Sequence, residues 1–461
     1  MNPAGVDRTE VLELYRRHFN APLAHHLELG GCSIETAGRG SFVVDELGRE
    51  YLDVATAHGI FGLGHCNPAV QARIAEQLAR VAGPTGGLAH DPGVSLRSRL
   101  ARLLPGDLGR VTFAGSGSEA IEIALRTALL ARPARTRLVA ARQAYHGKTL
   151  GALGMMGMNH LRVPFEPLWT DVRRVEYGDV EAMAAAIGGG GAAAVLLEPV
   201  LAGGTIEVPP AGYLAAVRDL CDRTGTLLIA DEVQTGLGRT GWMFGIERDE
   251  VVPDMIVLSK ILTGGAVPIA ATVVSEAVAG EADRRADGVD YSSESACWPL
   301  VAAAADAAVA YVEEQGLARR AQLLGSYLGE GLDTLAEMFP RFVAETPGIG
   351  LMRGVRVRNR VVETALWLQL RRRNVVVGLS LNSAAATPVL RVYPPLTVAR
   401  EEIDQLMEAL YDSLQSLERL RPRAIYALAA PAMALQFRLP TRMLTAAANR
   451  ADTAPSKAVA R

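Results

Sequence analysis

Cysteine is scarce in this chain. Its 461 residues hold four (Cys32, Cys66, Cys221 and Cys297), far apart and without CxxC spacing. That argues against a disulfide framework or a cysteine-built zinc site and is compatible with a reducing compartment. The eight histidines form no HExxH-type cluster, so no metal site is expected. Long apolar runs are missing too; no stretch reaches the roughly 18 residues that a spanning helix needs. The opening Met1-Asn-Pro-Ala-Gly-Val-Asp7 lacks the basic and then apolar order of a secretory signal. The expectation is a cytoplasmic protein with no membrane span. An excess of charge of one sign is also absent. The formal net charge is -3, which gives no reason to expect nucleic acid or an acidic membrane as a partner.

What is present is the composition of a soluble globular protein, 49% hydrophobic and 21% charged. The length suits two domains with real cores. Residues 9–19 have helical spacing behind a threonine cap. Strand patterns follow around a turn at Gly48, and Asn67-Pro68 opens a helix to about Val81. From Val111 the pattern repeats as strand, loop, helix, which argues for a mostly parallel sheet covered by helices. A long alanine-rich helix, Pro299–Glu314, leads out of it. The expected division is 1–60 as an N-terminal part of a small lobe and 61–315 as the large domain. Residues 316–420 form a C-terminal small domain and 421–461 a partly disordered tail. The apolar part of that tail, Ala424–Phe437, reads as a helix packed on the body, with a partner or membrane-surface contact as the lesser alternative.

Two strand-like runs stand out. Thr226-Leu-Leu-Ile-Ala-Asp231 ends on an acid and Asp254-Met-Ile-Val-Leu-Ser-Lys260 on a lysine. In open α/β sheets the chemistry sits beyond the carboxyl ends of the strands. Asp231 and Lys260 are therefore expected in one crevice, although by themselves they read equally as a structural ion pair. Gly115-Ser-Gly117-Ser118-Glu-Ala120 joins a strand to a helix; small residues there let backbone N–H groups approach an anion. It matches a dinucleotide fingerprint weakly, but the next strand does not end on the acid that a ribose would need, and no P-loop motif is present. Tyr145 follows another strand and is placed to cover a flat ring. A small phosphorylated aromatic aldehyde fits this set: phosphate at Gly117 and Ser118, ring under Tyr145, aldehyde carbon on Lys260 as a Schiff base, ring nitrogen facing Asp231. That describes pyridoxal phosphate.

Over about residues 30–420 the sequence resembles the class III, or ω-type, pyridoxal-phosphate aminotransferases of fold type I, nearest their putrescine aminotransferase branch and similar to ornithine and acetylornithine aminotransferases. The resemblance rests on Phe61-Gly-Leu-Gly-His65, Gly115–Ala120, Ala144-Tyr-His-Gly-Lys-Thr149, Leu197-Glu-Pro199, Pro209-Pro-Ala-Gly-Tyr213, Asp231-Glu-Val-Gln-Thr-Gly-Leu-Gly-Arg-Thr-Gly241, Ser259-Lys260 and Arg391-Val-Tyr-Pro-Pro-Leu396. It implies an α/β fold, with a large domain around a mostly parallel sheet and a smaller α+β domain drawn from both termini. It implies Lys260 and Asp231 as catalytic groups. Gly117, Ser118, Tyr145, His146, Glu198, Gln234 and Ser293 would be cofactor-binding, and Arg391 and Trp298 substrate-binding. It also implies a homodimer with shared active sites.

The sequence departs from that family in two places. Gly203 stands where ornithine-type enzymes carry a glutamate that pairs with the arginine, so Arg391 is expected to stay open. Glu294 stands where a threonine is given across the dimer to the phosphate. A carboxylate beside a phosphate is repulsive, so Glu294 is expected to turn away and Ser292 or Ser293 to supply a hydroxyl. The expected activity is transfer of an amino group between an amino acid, by family habit glutamate, or a primary amine, and an aldehyde or ketone. Decarboxylation, racemisation or an aminomutase shift are the alternatives on the same scaffold.

Overall fold

The computed structural model describes residues 7–18, 28, 33–83, 89–166, 171–203, 205–292, 294, 297–380 and 388–437. The expected helix near the N-terminus spans Arg8–His18. Three short strands follow: β1 (Glu35–Arg39), β2 (Phe42–Asp45) and β3 (Glu50–Asp53), paired antiparallel in that order. The turn between β2 and β3 is set by Asp45, whose carboxylate accepts from the N–H groups of Leu47 and Arg49 at 3.0 Å. Gly48 takes the left-handed φ of +75° there. Asn67 caps the next helix, Pro68–Arg80, accepting from Ala69 and Val70 N–H.

The main sheet is built from β4 (Leu108–Ala114), β5 (Leu138–Ala141), β6 (Val172–Val175), β7 (Ala194–Leu197), β8 (Leu227–Asp231), β9 (Met255–Leu258) and β10 (Ala270–Ser275). Their order is β4-β10-β9-β8-β7-β5-β6. Strands β6, β5, β7, β8 and β9 run parallel, and β10 is antiparallel to both its neighbours. β5, β7, β8 and β9 are buried along their whole length, as strands covered on both faces must be. β6 has no counterpart in the sequence reading; its Val-Arg-Arg-Val is too charged to look like a core strand and it forms the sheet edge.

β8 and β9 are neighbours, with Asp231 paired in register to Val257. Asp231 and Lys260 therefore leave the same edge of the sheet. The helix Gly117–Ala131 starts at that edge, capped by Ser116 accepting from Glu119 N–H at 3.3 Å. The helix Pro299–Glu314 packs on Pro68–Arg80 and Asp91–Leu103 through buried Ala302–Ala305 and Ala308.

A third sheet pairs β11 (Val343–Glu345), β12 (Gly348–Ile349) and β13 (Met352–Val357) with β15 (Val389–Val392), all antiparallel to β13. β14 (Val375–Val376) instead runs parallel to β3 and completes the N-terminal sheet. The helix Pro422–Phe437 lies on Arg360–Arg372 and buries Ile425, Ala429 and Met433, one per turn. The apolar part of the tail is thus packed on the body. Among the described residues no helix is long and apolar enough to cross a membrane.

Candidate active site

The carboxyl ends of the central strands open into a cavity of about 470 Å³ lined by Gly115–Ser118, Tyr145, His146, Glu198, Asp231, Val233, Gln234 and Lys260, among others. Of the residues that the sequence marks out for a site, Lys260, Asp231, Gly117, Ser118, Tyr145, His146, Glu198 and Gln234 meet here. Ser293 lies outside the described residues.

Asp231 closes β8 and is almost fully buried. One oxygen accepts from Val233 N–H at 3.1 Å, and the other faces His146 Nδ1 at 2.7 Å. An ionised carboxylate only accepts, so the imidazole donates from Nδ1. Its Nε2 is buried and finds no partner among the described residues. His146 thus holds Asp231 in place while also contributing to the cavity lining.

Lys260 follows β9 in a left-handed backbone, φ +50°, a conformation a lysine adopts only where its surroundings impose it. Ser259 Oγ secures the turn by donating to Ile269 O at 2.9 Å. Burial disfavours the ammonium and outweighs the nearby Asp231 and Glu198, so the Lys260 amine is pushed down to about 7. Glu198, at the end of β7, accepts from Tyr145 N–H at 2.9 Å and from Ala202 N–H at 3.2 Å. Burial is the largest influence on it and pushes it up to about 7.

One corner of the cavity is the N-terminus of the 15-residue helix Gly117–Ala131. A Cβ at Gly117 would sit 3.2 Å from Val233 Cγ2, so the close approach of loop and helix uses the missing side chain. Gly147, φ +118°, lies over Ser118, whose Oγ accepts from Lys148 N–H at 3.3 Å.

Beneath this layer is a buried group that the sequence reading did not single out. Glu232 accepts from Gly245 and Ile246 N–H at 3.0 and 2.8 Å and from the Thr235 hydroxyl. It thereby folds the Glu232–Gly241 loop that carries Gln234 under the cavity. Arg239 is likewise buried, donating to the carbonyls of Leu351 and Pro394. Both stand inside the motif already quoted; Arg239's partners are backbone carbonyls more than 100 residues along the chain, which no local pattern announces.

Arg391 corrects one expectation. With glycine at 203, its guanidinium is not left open: Nη2 donates to Gly203 O at 2.6 Å and Nη1 to Leu379 O at 3.3 Å. A buried cation with no carboxylate partner takes backbone acceptors instead. Gly203 cannot carry a side chain in this arrangement, because its Cβ would lie 2.1 Å from Tyr145 Cβ. Arg391 is 2% exposed and does not line the cofactor-sized cavity.

Trp298 lies outside the cleft of its own chain. As the residue capping Pro299–Glu314 it is 51% exposed and faces Gly83. Glu294 turns to Arg97, which donates to both carboxylate oxygens at 2.6 Å.

The sequence model of the family described as aminotransferase class-III matches residues 31–414. A putrescine aminotransferase of Pectobacterium atrosepticum is 36% identical over 426 residues, 90% of each chain. An ornithine aminotransferase structure from Toxoplasma gondii, described with partial occupancy of PLP at its active site, superposes with a TM-score of 0.80 at 26% identity, covering 89% of this chain and 95% of that one. An (S)-enantioselective ω-transaminase from Thermomicrobium roseum gives a TM-score of 0.80 at 29% identity, covering 89% and 99%.

Proposed function

This chain belongs to the class-III aminotransferases, enzymes that move amino groups with pyridoxal phosphate, and within that activity we propose how its own residues divide the work. The residues present suit the cofactor: a buried amine lowered toward neutrality, a carboxylate fixed by a histidine, and a glycine-lined helix N-terminus meet in one cavity of suitable size. When bound, the cofactor supplies an electron-accepting ring that stabilises negative charge on the substrate carbon losing its proton.

Lys260 would hold the cofactor covalently and move a proton with its amine, a task suited to an amine near neutrality. Asp231, oriented by His146, would hold negative charge toward the ring nitrogen and favour its protonated form. Gly117, Ser118, Tyr145 and Gln234 line the same cavity and would hold the cofactor there, the first two at its phosphate. Glu198 fixes the backbone of Tyr145 and Ala202 around the ring. Arg391 receives a substrate carboxylate, for which a planar guanidinium is suited.

The amino donor in this reading is glutamate or a primary amine and the acceptor an aldehyde or ketone. The putrescine aminotransferase likeness supports an amine among them. We also propose a homodimer with shared sites. That arrangement accounts for Trp298 and Glu294, which align with site positions of the family yet lie away from the cleft of their own chain.

The observation that carries the reading is the buried Lys260 amine, lowered to about 7 in the cavity that holds the His146–Asp231 pair. The test is a single turnover without acceptor. Holoenzyme given glutamate alone releases close to one 2-oxoglutarate per chain and then aminates an added aldehyde. Carbon dioxide release, or no keto product with any donor tried, would overturn the reading.

A further inference from the structure

Glu232 follows directly on Asp231, but its side chain turns away from the cavity. Asp231, Val233 and Gln234 line that cavity, whereas Glu232 and Thr235 do not and are both buried. The backbone makes this alternation at the end of β8. Glu232 N–H still donates to Val257 O of β9 at 2.9 Å, and Glu232 O accepts from Gly236 N–H at 3.0 Å, closing a tight turn.

An acid buried with hydrogen bonds but no ion pair is costly to hold. Burial pushes the Glu232 carboxyl up to about 7, and the groups that draw it back down are the Thr235 hydroxyl and the N–H groups of Ile246 and Gly245. Those three donors join two stretches of chain. Thr235 belongs to the loop itself. Gly245 and Ile246 open the short helix Gly245–Asp249 and are buried there, so their N–H groups need an acceptor that the helix does not supply. The fit is close: a Cβ at Gly245 would lie 3.0 Å from Thr235 Cβ and 3.2 Å from Glu232 Oε2.

What this clamp holds is the next peptide. Val233 N–H donates to Asp231 Oδ1 at 3.1 Å, while His146 Nδ1 meets Oδ2 at 2.7 Å. The Val233 side chain packs at the helix N-terminus, where a Cβ on Gly117 would lie 3.2 Å from its Cγ2. The Asp231 carboxylate is therefore held from two sides. One support is an imidazole; the other is a peptide N–H whose place depends on Glu232.

We propose that Glu232 is a positioning residue: clamped to Thr235, Gly245 and Ile246, it fixes the Val233 peptide that aims the Asp231 carboxylate into the cofactor cavity. The inference rests on the transaminase reading and goes beyond it in assigning Asp231 a second support, beneath the site.

The test uses two variants of the clamp. Glu232→Gln keeps the shape and one acceptor oxygen but turns a donor toward backbone N–H groups. Thr235→Val removes the hydroxyl and leaves the carboxylate. Each is made alone and in an Asp231→Asn background, and the affinity of the apoprotein for pyridoxal phosphate is measured by absorbance titration. Losing a hydrogen bond to a charged group corresponds to roughly tenfold or more. Each variant should weaken the cofactor about tenfold with Asp231 in place and less than about twofold in the Asp231→Asn background, because groups that act through one another are not additive. Equal losses in both backgrounds, the mark of a purely structural role, would overturn the proposal, as would no loss in either. A second readout needs no cofactor. The low-field proton signal of His146 Nδ1–H in the apoprotein, assigned through His146→Asn, should move in both variants; a signal unmoved in both would also overturn the proposal. If Asp231→Asn alone binds the cofactor as tightly as the unsubstituted protein, it is the placement of the cofactor against Asp231 that fails, while the His146 signal still reports on Glu232.

Discussion

Lys260 concentrates the chemistry at the scale of the residue. A group whose pKa is lowered by burial gains its reactive, uncharged form as pH rises through that value. With Lys260 near 7, apoprotein freed of cofactor should take it up again at a rate that grows about tenfold per pH unit below 7 and levels off above it. Stopped-flow absorbance between pH 5.5 and 9 checks this; a rate still climbing at pH 9 would mean an ordinary lysine. Gly203 gives a second prediction. A methyl group there would meet Tyr145 Cβ at 2.1 Å and Tyr145 N at 2.9 Å, so the backbone at 203 has to shift. Gly203→Ala should destabilise the protein by about 1–3 kcal/mol and detach Arg391 from its carbonyl, read as a lower Tm and an altered KM for glutamate.

Residues differed in how far the sequence exposed them. Asp231 and Lys260 were legible because each ends an apolar β-branched run, and the strand rule then puts both at one edge. His146 was legible as a member of a motif, but not as the partner of Asp231, since that contact spans two strand ends. The Arg391–Gly203 contact was misread for a similar reason. A missing side-chain carboxylate was visible, whereas the backbone carbonyl that replaces it was not.

Elements followed the same division. The strand–loop–helix alternation and the helix Pro299–Glu314 could be read from periodicity and composition. The antiparallel placement of β10 between β4 and β9 could not, because a buried run of small apolar residues looks the same in either direction. The Thr56–Gly59 turn was hidden for another reason: Thr56, Ala57 and His58 take positive φ there without being glycine, so sequence offers no sign of it. That yields a stability prediction. Ala57 is exposed and left-handed, and Ala57→Gly should relieve strain that exceeds glycine's extra entropy cost, a net gain of about 0.5–1 kcal/mol. Thermal or denaturant unfolding would show it, and a loss of stability would mean the turn relaxes in solution. At the other end of the chain, Ala429 is buried where Pro422–Phe437 meets Arg360–Arg372. Ala429→Asp buries an unpaired charge and should cost several kcal/mol, seen as a lower Tm and faster proteolysis.

For the molecule as a whole, contacts between segments distant in sequence frame the cavity. β14 returns from the C-terminal half to complete the N-terminal sheet, and Thr56 binds the carbonyl of Tyr393. Arg391 holds the loop that follows β7. The cofactor edge belongs to the central sheet, while Arg391, proposed above to take a substrate carboxylate, comes from β15 of another sheet. Cofactor chemistry was therefore readable from one contiguous stretch of motifs, and substrate choice was not.

The central claim is that Lys260 and the His146–Asp231 pair run a transamination. Its most direct measurement is the visible absorbance of purified protein before and after single donors are added, with Lys260→Ala in parallel. The account predicts a band near the visible edge that bleaches with glutamate or a primary amine and returns when an aldehyde or keto acid follows, with no such cycle in Lys260→Ala. A band that never bleaches with any donor, or a cycle that survives Lys260→Ala at the full rate, would contradict it.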